Sequence, residues 1–320
     1  MDFEAIHKQF TEPVYSIDLQ ENSPVLAVHY STYEWSQDII LLAFPKKIIV
    51  GQILFEDKLE LSILAEIQHP LRCTNLYLSS ETVLNIIPIN VQFCTAANDF
   101  KIRIFKTNLS DENSCMELTG HESYINDLNY DPTNSYIASV SDDHTVKVWS
   151  TEDNKLTAFF NLTSPGVSCC WHREDPLKLL VAEKIGVIRF YNVSAIKPIL
   201  SCSYTKSLSA AHWSPNDSQL LASLHMGELL LWDATRLSRP IQTKLIYTES
   251  GGDLKFNMSG EFLAIVNKLE NSIKVFHVQT QQERLNATLS SPTNITWHFR
   301  YPLICVGDDR KLNFWKIPGK

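Results

Sequence analysis

One aromatic position recurs along the chain at nearly constant spacing. It is occupied by residues that lie 41 to 53 positions apart: Tyr30, Tyr77, Tyr130, Trp171, Trp213, Phe256 and Trp297. A second series follows each of these by 18 to 28 residues: Gly51, Phe105, Trp149, Tyr191, Trp232, Phe276 and Trp315. Self-similarity at a fixed period of this length is typical of repeat architectures. The seven pairs predict seven structural units.

Each unit contains short apolar runs that alternate with polar residues. Thr145–Trp149 and Val187–Tyr191 are such runs, and Ile137–Val140 precedes the first of them. Period-two alternation with β-branched and aromatic residues is typical of strands. Units of ~40 residues with several short strands match the blade of a β-propeller. A blade cannot bury its two faces alone, so the blades must close into a ring. The sequence therefore predicts an all-β seven-bladed propeller that forms a single domain over residues 1–320.

The two chain ends predict how the ring closes. The last run, Leu312–Trp315, occupies a third-strand position, so the seventh blade lacks a fourth strand. Val14–Leu19 precedes the first aromatic, and we expect this N-terminal strand to complete the last blade and remove an exposed sheet edge.

Residues 1–12 form an N-terminal extension with a different pattern. Phe3, Ile6 and Phe10 recur at helical spacing, and Asp2 is a suitable N-cap. The pattern predicts a short helix that either covers the propeller or binds a partner.

Composition excludes several functions. The net charge is -8, and no basic tract exceeds Lys46–Lys47, so the footprint expected for nucleic acid or anionic lipid is missing. The seven cysteines are irregularly spaced without a CxxC, which favours free thiols in a reducing compartment. The apolar runs are shorter than the ~20 residues that span a bilayer, and no signal peptide is evident. We expect a soluble cytoplasmic or nuclear protein without membrane insertion or direct nucleic-acid binding.

The third unit carries the strongest motif. It opens with Gly120–His121 and closes with Ser139–Ser150, and it resembles a WD repeat in which Ser150 replaces the usual final aspartate. In WD repeats a His, a Ser or Thr, an Asp and a Trp form a buried hydrogen-bonded chain. The resemblance assigns that structural tetrad to His121, Ser139, Asp143 and Trp149. Each link suits the donors and acceptors of these side chains.

The second unit offers a weaker copy of the tetrad: His69, Thr95, Asp99 and Phe105. Phenylalanine cannot donate a hydrogen bond, so this chain is expected to end one link early.

In the remaining units the motif is degenerate. The seventh unit keeps only Asp309 and Trp315, while the fourth, fifth and sixth place Ile185, Met226 and Glu270 near the position of the aspartate. Apolar packing between blades is expected to hold these units together.

Several runs together resemble the nucleoporin thirty-seven family, the small WD-repeat propeller subunits of the Y-shaped nuclear pore scaffold. These runs are Phe93–Phe105, Ile137–Thr145, Ser164–Gly166, Val181–Lys184 and Ile188–Tyr191. The resemblance implies a non-enzymatic scaffold that docks on the large helical-and-propeller nucleoporin of a Y short arm and joins the other Y-complex subunits. It also implies roles in pore assembly and in protein and mRNA transport, with a location at the nuclear envelope and at kinetochores in mitosis.

The candidate catalytic and metal sites have simpler structural explanations. His121, Ser139 and Asp143 are the residue types of a hydrolytic triad, but their spacing is that of a WD repeat, and a hydrolase nucleophile must be exposed. His172 and His298 belong to no HxH or HExxH motif, and no glycine-rich phosphate loop is present. We expect no catalytic activity, no metal, no cofactor and no small-molecule substrate.

Two segments are candidate interfaces. Tyr33 and Trp35 lie in the polar loop at residues 31–38, where Trp35 either anchors a partner or caps the core of the blade. The insertion at residues 79–90 carries Leu84, Ile86 and Ile87, and an apolar loop of this kind would be costly in water.

A second function remains open beside the scaffold. A propeller adaptor can read short peptides, such as histone tails, through its central opening, which requires an aromatic cage or an acidic ring on one face. No such cluster is evident in the sequence.

Overall fold

The computed structural model describes residues 11–55, 58–110 and 113–318. Within these ranges 28 strands form seven four-stranded antiparallel sheets. The predicted all-β seven-bladed propeller is confirmed. The helix predicted for the N-terminal extension falls on residues 2–10, which lie outside the described residues.

The first strand, β1 (Tyr15–Asp18), belongs to the last blade, and the other strands follow blade by blade from the channel outward. Blade 1 comprises β2 (Ala27–Tyr30), β3 (Ile39–Ala43), β4 (Lys47–Phe55) and β5 (Leu59–Gln68). Blade 2 comprises β6 (Cys73–Leu78), β7 (Val91–Ala97), β8 (Ile102–Thr107) and β9 (Asn113–Leu118). Blade 3 comprises β10 (Ile125–Tyr130), β11 (Tyr136–Ser141), β12 (Thr145–Ser150) and β13 (Leu156–Asn161).

Blade 4 comprises β14 (Gly166–Trp171), β15 (Lys178–Glu183), β16 (Val187–Asn192) and β17 (Lys197–Ser203). Blade 5 comprises β18 (Leu208–Trp213), β19 (Leu220–His225), β20 (Glu228–Asp233) and β21 (Gln242–Leu245). Blade 6 comprises β22 (Asp253–Phe256), β23 (Phe262–Asn267), β24 (Ser272–His277) and β25 (Glu283–Thr288). Blade 7 comprises β26 (Pro292–Trp297), β27 (Leu303–Asp308), β28 (Lys311–Lys316) and β1. A one-turn 3-10 helix, Glu34–Ser36, lies between β2 and β3.

The two aromatic series mark matching positions on the first and third strands of a blade. In blade 3, Tyr130 pairs with Ile137, and Ile137 pairs with Trp149. Blade 2 differs, because its equivalent triple starts at Leu78, whose partner Phe93 pairs with Phe105. The assignment of Tyr77 to the series is therefore wrong by one residue. A step of one residue turns a strand side chain to the opposite face, so Leu78 is buried in the core and Tyr77 lines the channel.

The apolar core lies between the blades. One buried cluster joins blades 3 and 4 through Val148 and Trp171, and another joins blades 6 and 7 through Val275 and Trp297. A further cluster joins blade 7 to blade 1 through Phe314 and other fully buried side chains. Every blade thus buries its faces against its neighbours, as a closed ring requires.

The predicted closure of the last blade is confirmed. β1 pairs antiparallel with β28, in a register that runs from Tyr15 opposite Phe314 to Asp18 opposite Lys311. The Ser16 hydroxyl donates to the Asn313 amide oxygen across this pair at 2.7 Å. Ile17 packs against the cluster between blades 7 and 1. The outer edge of β28 is therefore covered by a strand from the other end of the sequence.

Polar side chains of the inner strands add hydrogen bonds between blades 3 and 4 and between blades 7 and 1. Asp127 accepts from the amide of Cys169 at 3.0 Å, between blades 3 and 4. Asn294 bonds both the amide and the carbonyl of Val28, at 2.9 and 2.7 Å, between blades 7 and 1. At both junctions hydrogen bonds to the backbone supplement the apolar packing.

The a–b face is the end of the ring that carries the loops between first and second strands. These loops are residues 31–38, 79–90, 131–135, 172–177, 214–219, 257–261 and 298–302. The b–c face, at the other end, carries the hairpins between second and third strands and the connections that lead into each new blade.

A charge placed on β1 tests the importance of closure. We expect Ile17→Asp to lower the free energy of unfolding by about 2 kcal/mol, because the new carboxylate would lie against the apolar cluster between blades 7 and 1. Tyr15→Asp adds the same charge to a residue that is 40% exposed, and should cost less than about 1 kcal/mol. Urea unfolding of both variants measures the difference, and equal losses would contradict a structural role for β1.

Candidate functional site

The four tetrad residues of blade 3 meet in one hydrogen-bonded chain. His121 Nδ1 lies 2.7 Å from Asp143 Oδ2, and His121 Nε2 lies 2.8 Å from Ser139 Oγ. The indole Nε1 of Trp149 donates to the same hydroxyl oxygen at 3.0 Å. The connection before β10, the second strand, the hairpin and the third strand each supply one member.

Electrostatics determine which atom carries each proton. Burial acts to raise the pKa of Asp143, but hydrogen bonds from Thr145, His121 and the Glu122 amide outweigh it and lower the pKa to about 2. Burial lowers the pKa of His121, although Asp143 opposes this. The imidazole is therefore neutral at pH 7, donating through Nδ1 to the carboxylate and accepting through Nε2 from the hydroxyl of Ser139.

This arrangement lacks the geometry of a hydrolase. Ser139 is wholly inaccessible to solvent, and its oxygen already contacts both His121 and Trp149. A nucleophile has to reach a substrate carbonyl beside an oxyanion site. These contacts are those of a structural link between strands.

Blade 2 holds only part of its predicted tetrad. His69 Nε2 lies 3.3 Å from the Thr95 hydroxyl, but its Nδ1 contacts the carbonyl of Leu71 at 2.7 Å. Asp99 instead forms a two-point ion pair with Arg103. The placement of Asp99 in this chain is therefore wrong, because a guanidinium four residues along offers a stronger charge-assisted pair than an imidazole. Phe105 contributes only ring contacts, to His69 and to Phe93.

Blade 5 contains a polar chain that the motif did not reveal. Trp232 Nε1 donates to the Ser223 hydroxyl at 2.7 Å, and His225 Nε2 lies 2.9 Å from the same oxygen. His225 Nδ1 contacts the carbonyl of Lys206 at 3.0 Å. The histidine comes from the second strand rather than from the preceding connection. A Ser-x-His sequence nine residues before the tryptophan of the third strand is the signal that could have identified it.

Blade 4 replaces the missing aspartate with a glutamate from the end of its second strand. Glu183 is completely buried, and its Oε2 accepts from the amides of Thr163 at 2.7 Å and Ser164 at 3.1 Å. Its other oxygen pairs with Arg189. Asp143 makes the equivalent contact in blade 3, where it accepts from the Glu122 amide at 3.1 Å.

In blades 6 and 7 a carboxylate also accepts from an amide of the incoming connection, but it stands at a different position in the hairpin. Glu270 Oε1 accepts from the Thr248 amide at 2.8 Å, and Asp308 Oδ1 accepts from the Ser290 amide at 2.8 Å. In blade 7 the role belongs to Asp308, and the assignment to Asp309 is wrong by one residue, because Asp309 is exposed in the turn beyond it. A carboxylate that holds the incoming connection thus survives where the motif itself is lost.

The candidate interface residues fall into three different environments. Leu84 packs against the apolar cluster between blades 1 and 2, whereas Ile86 and Ile87 are 64% and 93% exposed. Trp35 is 52% exposed, and its indole Nε1 donates to the carbonyl of Ser80 at 2.9 Å. The ring of Tyr33 stacks on Trp35 with 5.4 Å between centroids. The blade 1 loop therefore contacts the blade 2 loop through Trp35, and both loops expose apolar side chains on the a–b face.

The central channel opens on this face into an aromatic cavity, here termed the a–b cup. Its volume is about 370 Å³, and every blade contributes to its lining. The aromatic and apolar members include Tyr33, Trp35, Trp171, Trp213, Met258 and Phe299. Loops that are far apart along the chain thus assemble an aromatic cluster. No single segment of the sequence contains it.

Deeper in the channel the lining is polar and contains perturbed titratable groups. Burial, assisted by the nearby Lys255, lowers the pKa of His212 to about 4. Burial raises the pKa of Asp127 to about 6, although the Cys169 amide opposes it. The histidine is therefore neutral at pH 7. These groups line the passage that leads inward from the a–b cup.

A metal site and a helix that crosses a bilayer each place specific requirements on the described ranges. No group of three or more His, Cys, Asp or Glu side chains there is arranged to hold a metal ion. None of the helical segments in that part of the chain has the length and apolar character that a bilayer crossing requires.

Comparison with known proteins identifies the family. Residues 112–150, the third unit, match the model of the WD domain, G-beta repeat. The chain is similar to nucleoporin Nup37 of Mus musculus and of Homo sapiens, each 33% identical over 94% of this chain and 96% of that protein. Nucleoporin Nup37 of Drosophila melanogaster is 31% identical over 97% of this chain and 98% of that protein.

The chain belongs to the nucleoporin Nup37 family. This membership confirms the resemblance seen in the sequence, and the match covers all seven blades rather than the one unit with a clear WD motif. The likeness to the Nup37 relatives extends over 94–97% of this chain and 96–98% of theirs.

Removing the shared hydroxyl of a polar chain tests its contribution to stability. We expect Ser139→Ala and Ser223→Ala each to lower the free energy of unfolding by about 2 kcal/mol. Each substitution removes the hydroxyl that bonds a buried imidazole nitrogen and a buried indole N–H. Ser114→Ala, at an exposed serine on β9, should cost less than about 0.5 kcal/mol. Denaturant unfolding provides the comparison; a neutral Ser223→Ala would show that blade 5 does not rely on its chain.

The buried neutral His212 predicts a pH-dependent stability. Its folded pKa of about 4 lies below the value near 6.5 expected when unfolded, so the unfolded chain binds more protons on acidification. The contribution is complete above pH ~6.5 and falls as the pH drops, by about 2 kcal/mol at pH 5. Asp127, with its raised pKa, acts in the opposite sense below pH ~6. His212→Gln should remove the histidine component.

Urea midpoints of the wild type and of His212→Gln between pH 5 and 8 measure that component. The difference in unfolding free energy between the two proteins should change steadily below pH 6.5 and remain constant above it. A difference that is independent of pH would show that the imidazole titrates normally in the fold.

Proposed function

We propose that this chain is a non-enzymatic scaffold subunit of the nuclear pore complex, within the Y-shaped outer-ring subcomplex. The observation that carries the proposal is the likeness to nucleoporin Nup37 proteins along almost the entire chain. On this proposal the protein resides at the nuclear envelope, supports pore assembly and the transport of protein and mRNA, and associates with kinetochores in mitosis.

The partner proposed for direct docking is the large helical-and-propeller nucleoporin of a Y short arm. A lasting interface of this kind buries more than about 1,000 Å². The loops of blades 1 and 2 are the first candidates for this interface, since Trp35 in one and Ile86 and Ile87 in the other are exposed to solvent. Large exposed apolar patches are costly in water and typically mark interfaces.

Burial of the polar residues supports the non-enzymatic part of the proposal. The only triad-like set that the sequence suggested lies in blade 3, and its side chains are hydrogen-bonded to one another and to Trp149 inside the fold. Such a propeller acts through its surface, with its loops presented by a rigid ring.

Co-expression with the large short-arm nucleoporin, followed by size-exclusion chromatography, tests this function. We expect one stable complex from the wild type. The double variant Ile86→Glu/Ile87→Glu should weaken it by at least about tenfold, since central apolar contacts dominate interface energies. Ile199→Glu/Leu200→Glu alters two adjacent exposed apolar residues, 43% and 40% accessible, on the outer strand of blade 4, and should leave the complex intact.

Separate elution of the two wild-type proteins would contradict the scaffold proposal. Equal loss of the complex in both double variants would place the interface elsewhere on the ring. In cells, a fluorescently tagged wild-type protein should mark the nuclear rim, and the Ile86→Glu/Ile87→Glu variant should lose that location.

A further inference from the structure

The a–b cup is a concave site with several aromatic walls. Its volume of about 370 Å³ falls within the range of about 300–1,000 Å³ found for ligand sites. Trp35 is half-exposed at its rim, while Trp171 and Trp213 are almost fully buried in its wall. Concave sites with several aromatic walls suit a single inserted side chain.

Charge in the lining restricts the kind of side chain that fits. Only two residues among those that line the cup carry a full charge, Glu34 and Arg173. The side chain of Glu34 is 67% exposed and lies 3.8 Å from Arg300. A cation entering the cup would meet the guanidinium of Arg173, and an anion would exchange water for aromatic walls. An uncharged apolar side chain is the best match.

The surface around the cup is acidic. Five of the seven a–b loops place a carboxylate at the surface: Glu34, Glu81, Asp175, Asp217 and Glu261. The carboxylate of the third loop, Asp131, is buried. The seven loops together carry only two positive side chains, Arg173 and Arg300. Charges of one sign around a concave opening attract oppositely charged partners and raise their rate of association.

We propose that the a–b cup binds a short linear protein segment, with one apolar anchor residue inserted into the cup and Lys or Arg residues on both sides lying over the acidic loops. The aromatic walls select the anchor, and the ring of carboxylates selects the charge of its flanks. The segment crosses the mouth of the channel, because every blade contributes to the lining of the cup.

The flanking contacts and the anchor contact should respond differently to salt. The flanking contacts are solvent-exposed, so salt screens them, whereas the contact with the anchor is largely independent of salt. The a–b cup and the exposed Ile86 and Ile87 are separate parts of one face. Peptide binding is a property of the isolated propeller, and it does not rest on the scaffold function proposed above.

Fluorescence anisotropy with labelled 15-residue peptides tests the proposal on the full chain. The first probe has a central Leu flanked by Lys and Arg. The second replaces Leu by Gly, and the third replaces every Lys and Arg by Glu. We expect the first probe to bind at least about tenfold tighter than either of the others at 50 mM NaCl, and to weaken at 300 mM.

Variants locate the binding. Met258→Arg and Trp35→Ala should each weaken the first probe by at least about tenfold, because one blocks the cup and the other removes part of its wall. Leu269→Arg, at a 66% exposed leucine on the b–c face, is the matched control and should have no effect. Glu34→Lys/Glu81→Lys should weaken binding at 50 mM NaCl more than at 300 mM, while Glu122→Lys on the b–c face should not.

Several outcomes would overturn the proposal. The first is equal binding of all three probes, and the second is binding that neither cup variant weakens. The third is concentration-dependent self-association that Met258→Arg abolishes, because a second copy of the chain would then be the occupant of the cup. Loss of the nucleoporin complex in Met258→Arg without any peptide binding would assign the cup to scaffold docking. Unchanged thermal unfolding midpoints establish that each variant remains folded.

Discussion

Burial of apolar surface between neighbouring blades is the interaction on which the whole molecule depends. A four-stranded blade has two apolar faces and cannot cover either by itself, so its stability comes from its neighbours. The clusters that join blade 7 to blades 6 and 1 are therefore as important as any within the chain. The strand β1, supplied from the opposite end of the sequence, completes the blade that holds the ring shut.

Polar groups add hydrogen bonds to this apolar ring, and different residues supply the same kind of acceptor in different blades. The connection entering each new blade leaves backbone amides that need an acceptor. Asp143, Glu183, Glu270 and Asp308 provide it in four blades, from positions that differ by one or more residues along the hairpin. Blade 5 keeps the Ser and Trp of the tetrad but draws its histidine from the second strand instead of the preceding connection. The chemistry persists because the unsatisfied amide is fixed by the fold, whereas several side chains can reach it.

In such a ring, the residues that stabilise the fold differ from the residues that are exposed for binding. Strands and hairpin carboxylates hold the blades, which leaves the a–b loops free to carry exposed apolar and acidic side chains. Ile86, Ile87 and the a–b cup occupy that face. A rigid scaffold can present two such surfaces side by side at little entropic cost, because the loops are already positioned before a partner arrives. Scaffold docking and capture of a peptide are compatible on one propeller.

The sequence by itself determined the number of blades, the all-β class, the closure by β1 and the family, because periodic aromatic positions and alternating runs are local features of the chain. It located Tyr77 and Asp309 one residue out of place and put Asp99 in the wrong hydrogen-bonded chain. Only the tertiary structure decided those registers, since a strand side chain changes face with each residue and Asp99 has a guanidinium within reach. The a–b cup was likewise invisible along the chain: its walls come from all seven blades, and only closure of the ring brings them together.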